Sequence, residues 1–237
     1  SSDVCSSDLP ITLRRIVPAL TVAVALLAVG ASPSGAGSTF ARSNWQVLTI
    51  RASDNAWVGP VKAARTGTGG VRFGFESFSS TSSGRFSVYL QTGAANLDLT
   101  GRTVSAEMSE AVTAGSQFFT RSTSCANSGT DAYVRLLFRS TTSGTYGPSD
   151  YWWSVANVNL SSLATQSSAT LSVSTADPSA WTNINGQSGA EDPTGFANAA
   201  KRVKVVGLAF GSSCRYASGV GIASGSGSFE LRSFGVS

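Results

Sequence analysis

Tyr151, Trp152 and Trp153 are consecutive, and three large rings in a row are the clearest candidates for contact chemistry in this chain. In an extended strand successive side chains point to opposite faces. If Tyr151, Trp153 and Val155 point inward, Trp152 points outward, where its flat ring offers a stacking platform to the apolar face of a sugar. The alternative is that both tryptophans are covered by loops or a second sheet, since Trp is highly buried on average. Trp57 and Trp181 sit in polar, loop-like stretches, Asp54-Asn55-Ala56-Trp57 and Trp181-Thr182-Asn183-Ile184-Asn185-Gly186. An aromatic beside Asn supplies what a polyol site needs, a stacking face with fork-like donors and acceptors. The same rings also serve to plug the ends of a fold. The candidate binding set is therefore Trp152, Tyr151, Trp57 and Trp181 as stacking groups, with Asn55, Asn183 and Arg135 as polar partners.

Other chemistry is narrowed by what the chain lacks. It has no histidine, which excludes a Ser-His-Asp triad and a His-liganded zinc site, and removes the usual base near neutral pH. A glycosidase needs two carboxyls across a cleft, roughly 5–5.5 Å apart for retention or 6.5–9.5 Å for inversion. Glu107 and Glu110 are three positions apart, so in a regular strand they point to opposite faces. Glu110 also falls where apolar parity predicts an inward residue. Glu107 meets Glu230 or Glu76 only if the tertiary fold brings them together. A hydrolase or lyase using Glu107 stays as the first rival reading. Glu191-Asp192, with Asp177 upstream, could offer oxygen ligands to calcium, or be solvated loop acids.

Charged residues are only 13% of the chain, and the net charge of +4 comes from scattered basic residues. The densest group, Lys201-Arg202-Val203-Lys204, reads as a solvated strand entrance, not a nucleic-acid patch.

The front of the chain reads as three segments. Residues 1–9 repeat Ser-Ser-Asp and read as an adaptor-derived scar. Residues 10–36 read as a secretory signal peptide. Arg14-Arg15 precede the apolar run Ile16–Val29, and the small residues from Gly30 to Ala36 follow it. That run is shorter than the roughly 20 residues a membrane span needs. Residues 37–43 read as an exposed tail. With Cys5 set aside, Cys125 and Cys214 remain, and two cysteines in an exported chain read as a disulfide. Closing a loop of about 90 residues would stabilise the fold by roughly 4–5 kcal/mol.

What must position the candidate residues is a set of strands in residues 44–237. Val71, Phe73 and Phe75 alternate with polar or small residues, as do Phe86, Val88 and Leu90, then Val104, Ala106 and Met108, then Val134, Leu136 and Phe138. Period two of this kind marks half-buried strands. Parity puts Tyr89, Gln91, Glu107, Tyr133, Arg135, Arg139, Trp152, Glu230 and Arg232 on outward positions. Further strands are expected at 44–51, 116–122, 151–158, 169–175, 202–210 and 228–236. The stretch 202–210 is apolar enough to be central and covered on both faces. Only Pro193–Ala200 looks helical. The expected fold is an all-β, antiparallel two-sheet β-sandwich with one disulfide.

The closing pattern Lys204-Val205-Val206-Gly207-Leu208-Ala209-Phe210-Gly211, then Gly219-Val220-Gly221, then Gly225–Val236, resembles the last strands of bacterial jelly-roll modules of the galactose-binding-like and carbohydrate-binding kind. The strand around Trp45 and the segment Leu97–Met108 are similar to their early strands. The resemblance implies a jelly roll with ligand sites on a sheet face or in end loops, and often a structural calcium ion. The expected function is thus that of a secreted, monomeric, non-catalytic carbohydrate-binding protein. Its partner would be a polysaccharide or cell-surface glycan, with no nucleic acid and no membrane span after processing. A structural envelope or matrix protein without a small ligand is the second rival.

Overall fold

The computed structural model describes residues 40, 44–67, 69–76, 84–121, 132–143, 146–214 and 216–237. The expected scar, the signal peptide and Cys125 lie outside these residues. In chain order the elements are β1 (Gln46–Arg51), β2 (Trp57–Lys62), β3 (Ala64–Arg65), β4 (Val71–Phe75), β5 (Arg85–Leu97), β6 (Thr103–Val112), β7 (Gln117–Thr120) and β8 (Tyr133–Arg139). There follow β9 (Tyr151–Ser154), β10 (Val158–Asn159), α1 (Leu160–Leu163), β11 (Ala169–Ser174), β12 (Trp181–Asn183), α2 (Pro193–Ala200), β13 (Val203–Gly211), β14 (Val220–Ser224) and β15 (Gly227–Val236).

The strands form two antiparallel sheets, as a β-sandwich requires. Sheet A runs β12-β9-β8-β13-β5-β1-β2, with β10 beside β8 and β14 joining β5 to β7. Sheet B runs β11-β6-β15-β4-β3. The period-two pattern shows directly in sheet B. Val71, Phe73 and Phe75 are buried while Arg72 and Gly74 are exposed, and Val104, Ala106 and Met108 enter the same core. Val134, Leu136 and Phe138 meet them from sheet A. Phe73 of sheet B lies edge-on to Phe210 of sheet A, with ring centres 5.5 Å apart. Each such side chain taken out of water contributes about 1.5–3 kcal/mol.

β13 is central, between β5 and β8, as its continuous apolar run predicts. Gly207 lets it lie close to β5, since a Cβ there would stand 2.2 Å from the Leu90 carbonyl oxygen.

β5 departs from the expected pattern. Leu48 pairs with Tyr89 but Thr49 pairs with Ser87, so Val88 is an extra residue in the ladder. A bulge of this kind shifts the phase of every side chain beyond it. Leu90 therefore enters the core between the sheets, whereas Val88 and Tyr89 both lie in a second cluster on the outer face of sheet A. Phe86, Val88 and Leu90 do not share a face.

Sequence reasoning placed Trp57 and Trp181 in loops, but each opens a strand, β2 and β12. β2 is an edge strand, exposed over most of its length and interrupted by Pro60, and β12 has three residues. Neither is long enough or alternating enough to give a periodic signal. α2 coincides with the expected helix, and Asp192 caps it by accepting from the Gly195 amide at 3.0 Å. No helix among the described residues is long and apolar enough to cross a membrane.

Candidate functional site

The strand Tyr151–Ser154 has the reverse of the phase that would put Trp152 outward, and Trp152 and Trp153 are both buried, as the alternative reading expected. Trp152 is fully buried in the core between the sheets. Its ring stands edge-on to Phe196 of α2 at 5.0 Å, and its Nε1 donates to the Ser149 carbonyl at 2.8 Å. Tyr151 and Trp153 are the residues on the outer face of sheet A. The sequence could not set this phase because both faces of β9 are covered, so all three rings are apolar neighbours of something. Trp181 is likewise fully buried. It packs on Phe138 at 4.9 Å and donates from Nε1 to the Ser174 carbonyl at 3.0 Å. The rings of Trp152 and Trp181 are therefore enclosed in the core and offer no open face.

The outer face of sheet A is where the remaining candidates gather. Ile50, Val88, Tyr89, Leu137, Tyr151, Trp153 and Ala209 form a second hydrophobic cluster there, with Tyr216 and Ala217 of the β13–β14 loop packed over it. A cleft of about 710 Å³ opens beside this cluster. Five rings line it, those of Trp57, Tyr89, Tyr146, Trp153 and Tyr216, together with Arg121 and the turn Asn183–Gly186.

The rings are held at fixed angles. Trp57 is 57% exposed and lies parallel to Tyr89, 6.0 Å away at 8°, so one face of the indole is backed by protein. Tyr146 is 46% exposed and leans on Tyr151 at 4.6 Å. Trp153 is 5% exposed, meets Tyr216 edge-on at 6.4 Å, and its buried Nε1 has no hydrogen-bond partner among the described residues. Burial raises the pKa of the Tyr89 hydroxyl, and the nearby Tyr151 adds to this, so Tyr89 stays a neutral donor and acceptor.

The polar candidates divide by role. Arg135 is almost fully buried beneath the β13–β14 loop. Its Nη1 donates to the Ser212 carbonyl at 3.1 Å and its Nη2 to that of Ser213 at 3.4 Å. Burial pushes its pKa down to about 10, against the raising influence of Tyr216 and Tyr133. It therefore anchors the loop and does not line the cleft. Asn183 lines the cleft but uses its amide to build the turn. Its Oδ1 accepts from the Asn185 and Gln187 amides at 3.0 and 3.1 Å, and its Nδ2 donates to Gln187 Oε1 at 3.2 Å. Asn55 is exposed at the β1–β2 turn with φ of 60° and is not among the cleft-lining residues. Gly219, at φ of +92°, lets the loop descend, since a Cβ there would stand 2.6 Å from Phe86 Cβ.

No known family, no curated protein and no solved structure matches this chain.

The acids lie elsewhere. Glu107 pairs with Arg232 at 3.7 Å and Glu230 with Arg72 at 3.0 Å, all on sheet B strands or paired to them. No Asp or Glu is among the described residues lining the cleft. The three acids considered for calcium are engaged locally. Asp177 Oδ1 accepts from the Ser179 amide at 3.1 Å, Glu191 Oε2 from the Ser188 amide at 2.6 Å, and Asp192 Oδ2 from the Ser149 hydroxyl at 2.5 Å. Among the described residues no group of three or more His, Cys, Asp or Glu side chains gathers, so these three acids do not converge on one ion.

Arg121, Tyr146 and Tyr216 are among the cleft residues that sequence reasoning did not single out. Each sits at a strand end or in a loop, where alternation gives no orientation. The available signal was compositional, two tyrosines close to Gly- and Ser-rich turns.

Proposed function

We propose that the chain is an exported, non-catalytic carbohydrate-binding protein of jelly-roll type, with its sugar site in the cleft on the outer face of sheet A. The observation that carries this reading is the cleft itself. A volume of about 710 Å³ suits a small ligand, and its walls combine flat rings with a few polar groups. Trp57 supplies an open indole face backed by Tyr89, and Asn185 supplies an exposed amide at the opposite turn. The jelly-roll part rests on the strand crossings, with β13 between β5 and β8 and β15 between β4 and β6. The same reading keeps the Cys125–Cys214 disulfide. Cys214 lines the cleft, so the bridge would brace one wall.

Binding to a panel of polysaccharides, followed by calorimetry, tests the reading. Trp57→Ala and Tyr146→Ala are each expected to weaken binding by about tenfold or more, the loss of one stacked or leaning ring. Failure of the wild-type chain to bind any glycan would sink it. A structural envelope or matrix role is the second reading. It is favoured by the burial of Trp152, Trp153 and Trp181, which are used for packing.

A further inference from the structure

We infer that the cleft selects a glycan carrying an anionic substituent, a carboxylate or a sulfate, on the sugar that stacks against Trp57. This rests on the carbohydrate-binding reading above and names its ligand class.

The inference comes from the balance of donors and acceptors in the cleft. Arg121 is half-buried and lines the cleft. Its backbone amide donates to the Gly219 carbonyl at 3.3 Å, which fixes the residue beside the loop, yet its guanidinium makes no hydrogen bond or ion pair among the described residues. A guanidinium presents up to five N–H donors in a planar fork and no acceptor.

Acceptors are scarce on the other side. The Asn183 carbonyl oxygen already takes two backbone amides. No carboxylate lines the cleft among the described residues. The Asn185 amide and the tyrosine hydroxyls can serve either way. A cleft with an unpaired guanidinium and no carboxylate among the described residues is completed by a ligand that brings acceptors and negative charge. The rings make the rest of that ligand flat and partly apolar, as a pyranose face is. Carboxylate and sulfate both match the guanidinium fork, so the shared chemistry is an anionic sugar.

The test is calorimetry on the full chain with three probes: polygalacturonate, the same polymer with its carboxyls reduced to alcohols, and a sulfated galactan. The expected result is binding to at least one acidic polymer about tenfold tighter than to the reduced polymer, the contribution of a charge-assisted hydrogen bond. Arg121→Gln should erase that preference with no change in melting temperature, while Trp57→Ala should weaken binding to every polymer. Arg121→Lys, which keeps the charge and loses the fork, should retain part of the preference. Equal affinity for the reduced and acidic polymers, or an unchanged preference in Arg121→Gln, would overturn the inference and leave carbohydrate binding standing. Absence of binding to all three probes and to the wider panel would overturn both.

Discussion

The guanidinium carbon of Arg135 lies 4.0 Å from the ring centre of Tyr216, while Nη1 and Nη2 of the same residue hold the carbonyls of Ser212 and Ser213. One buried cation in β8 thus fastens the loop that forms a wall of the cleft. Its pKa of about 10 leaves it charged at neutral pH.

Replacing Arg135 by Met should release that loop. The Ser212 carbonyl would lose the hydrogen bond from Arg135 Nη1 in a buried position, a cost of about 1–3 kcal/mol. Hydrogen exchange at 212–219 is expected to accelerate more than exchange in β13, and the carbohydrate-binding proposal adds that glycan binding should weaken with it. Arg135→Lys should restore little, since an ammonium cannot reach two carbonyls and lie flat on Tyr216 as a planar fork does. Exchange rates at 212–219 identical to wild type would show that Arg135 is not the anchor.

Trp152 and Trp57, on β9 and on the edge strand β2, should separate core packing from a surface contact. Trp152→Ala removes a fully enclosed ring and should cost about 3–5 kcal/mol. Trp57→Ala removes an exposed ring that touches Tyr89 and should cost about 1 kcal/mol. Urea unfolding of both variants checks this. Comparable losses would mean that Trp57 is part of the core.

Glu110 should make the protein less stable as pH rises. Both its carboxylate oxygens are buried without a hydrogen-bond partner among the described residues, and burial pushes its pKa up from 4.5 to about 8. The folded state therefore keeps a proton that the unfolded chain gives up. Stability from this group is complete below pH 4.5 and falls as pH climbs toward 8, by an amount on the order of a few kcal/mol. Asp98 and Glu191 shift the opposite way, held down by hydrogen bonds from Thr100 and Ser188, so their contributions are lost only on acidification. Glu110→Gln should flatten the decline between pH 5 and 8, measured as the urea midpoint across that range. A decline that persists in Glu110→Gln would assign it to another group.

The sequence made the inner faces legible and the outer site obscure, for one physical reason. Alternation marks a strand that is wet on one side. Val71, Phe73 and Phe75 are such a strand, and their orientation followed from residue type alone. Glu110 also followed, since parity sent it inward. β9 is covered on both faces, so Tyr151, Trp152 and Trp153 obey no wet–dry rule, and the phase that puts Trp152 outward is the reverse of the one observed. The extra residue at Val88 hid the phase of β5 in the same way, because a bulge has no signature in side-chain type. Arg135 was correctly placed on the outer face, but its role depended on a loop some 77 positions away, and residue spacing cannot reveal that partner.

Sheet A keeps its two hydrophobic clusters on opposite sides of a single layer of backbone. Ancestors or designed libraries that vary Trp57, Tyr146, Ile184 and Asn185 would alter the rim of the cleft while leaving the packing beneath the sheet unchanged. Under the carbohydrate-binding proposal, a change of specificity is thus confined to surface residues and need not pass through variants that fail to fold.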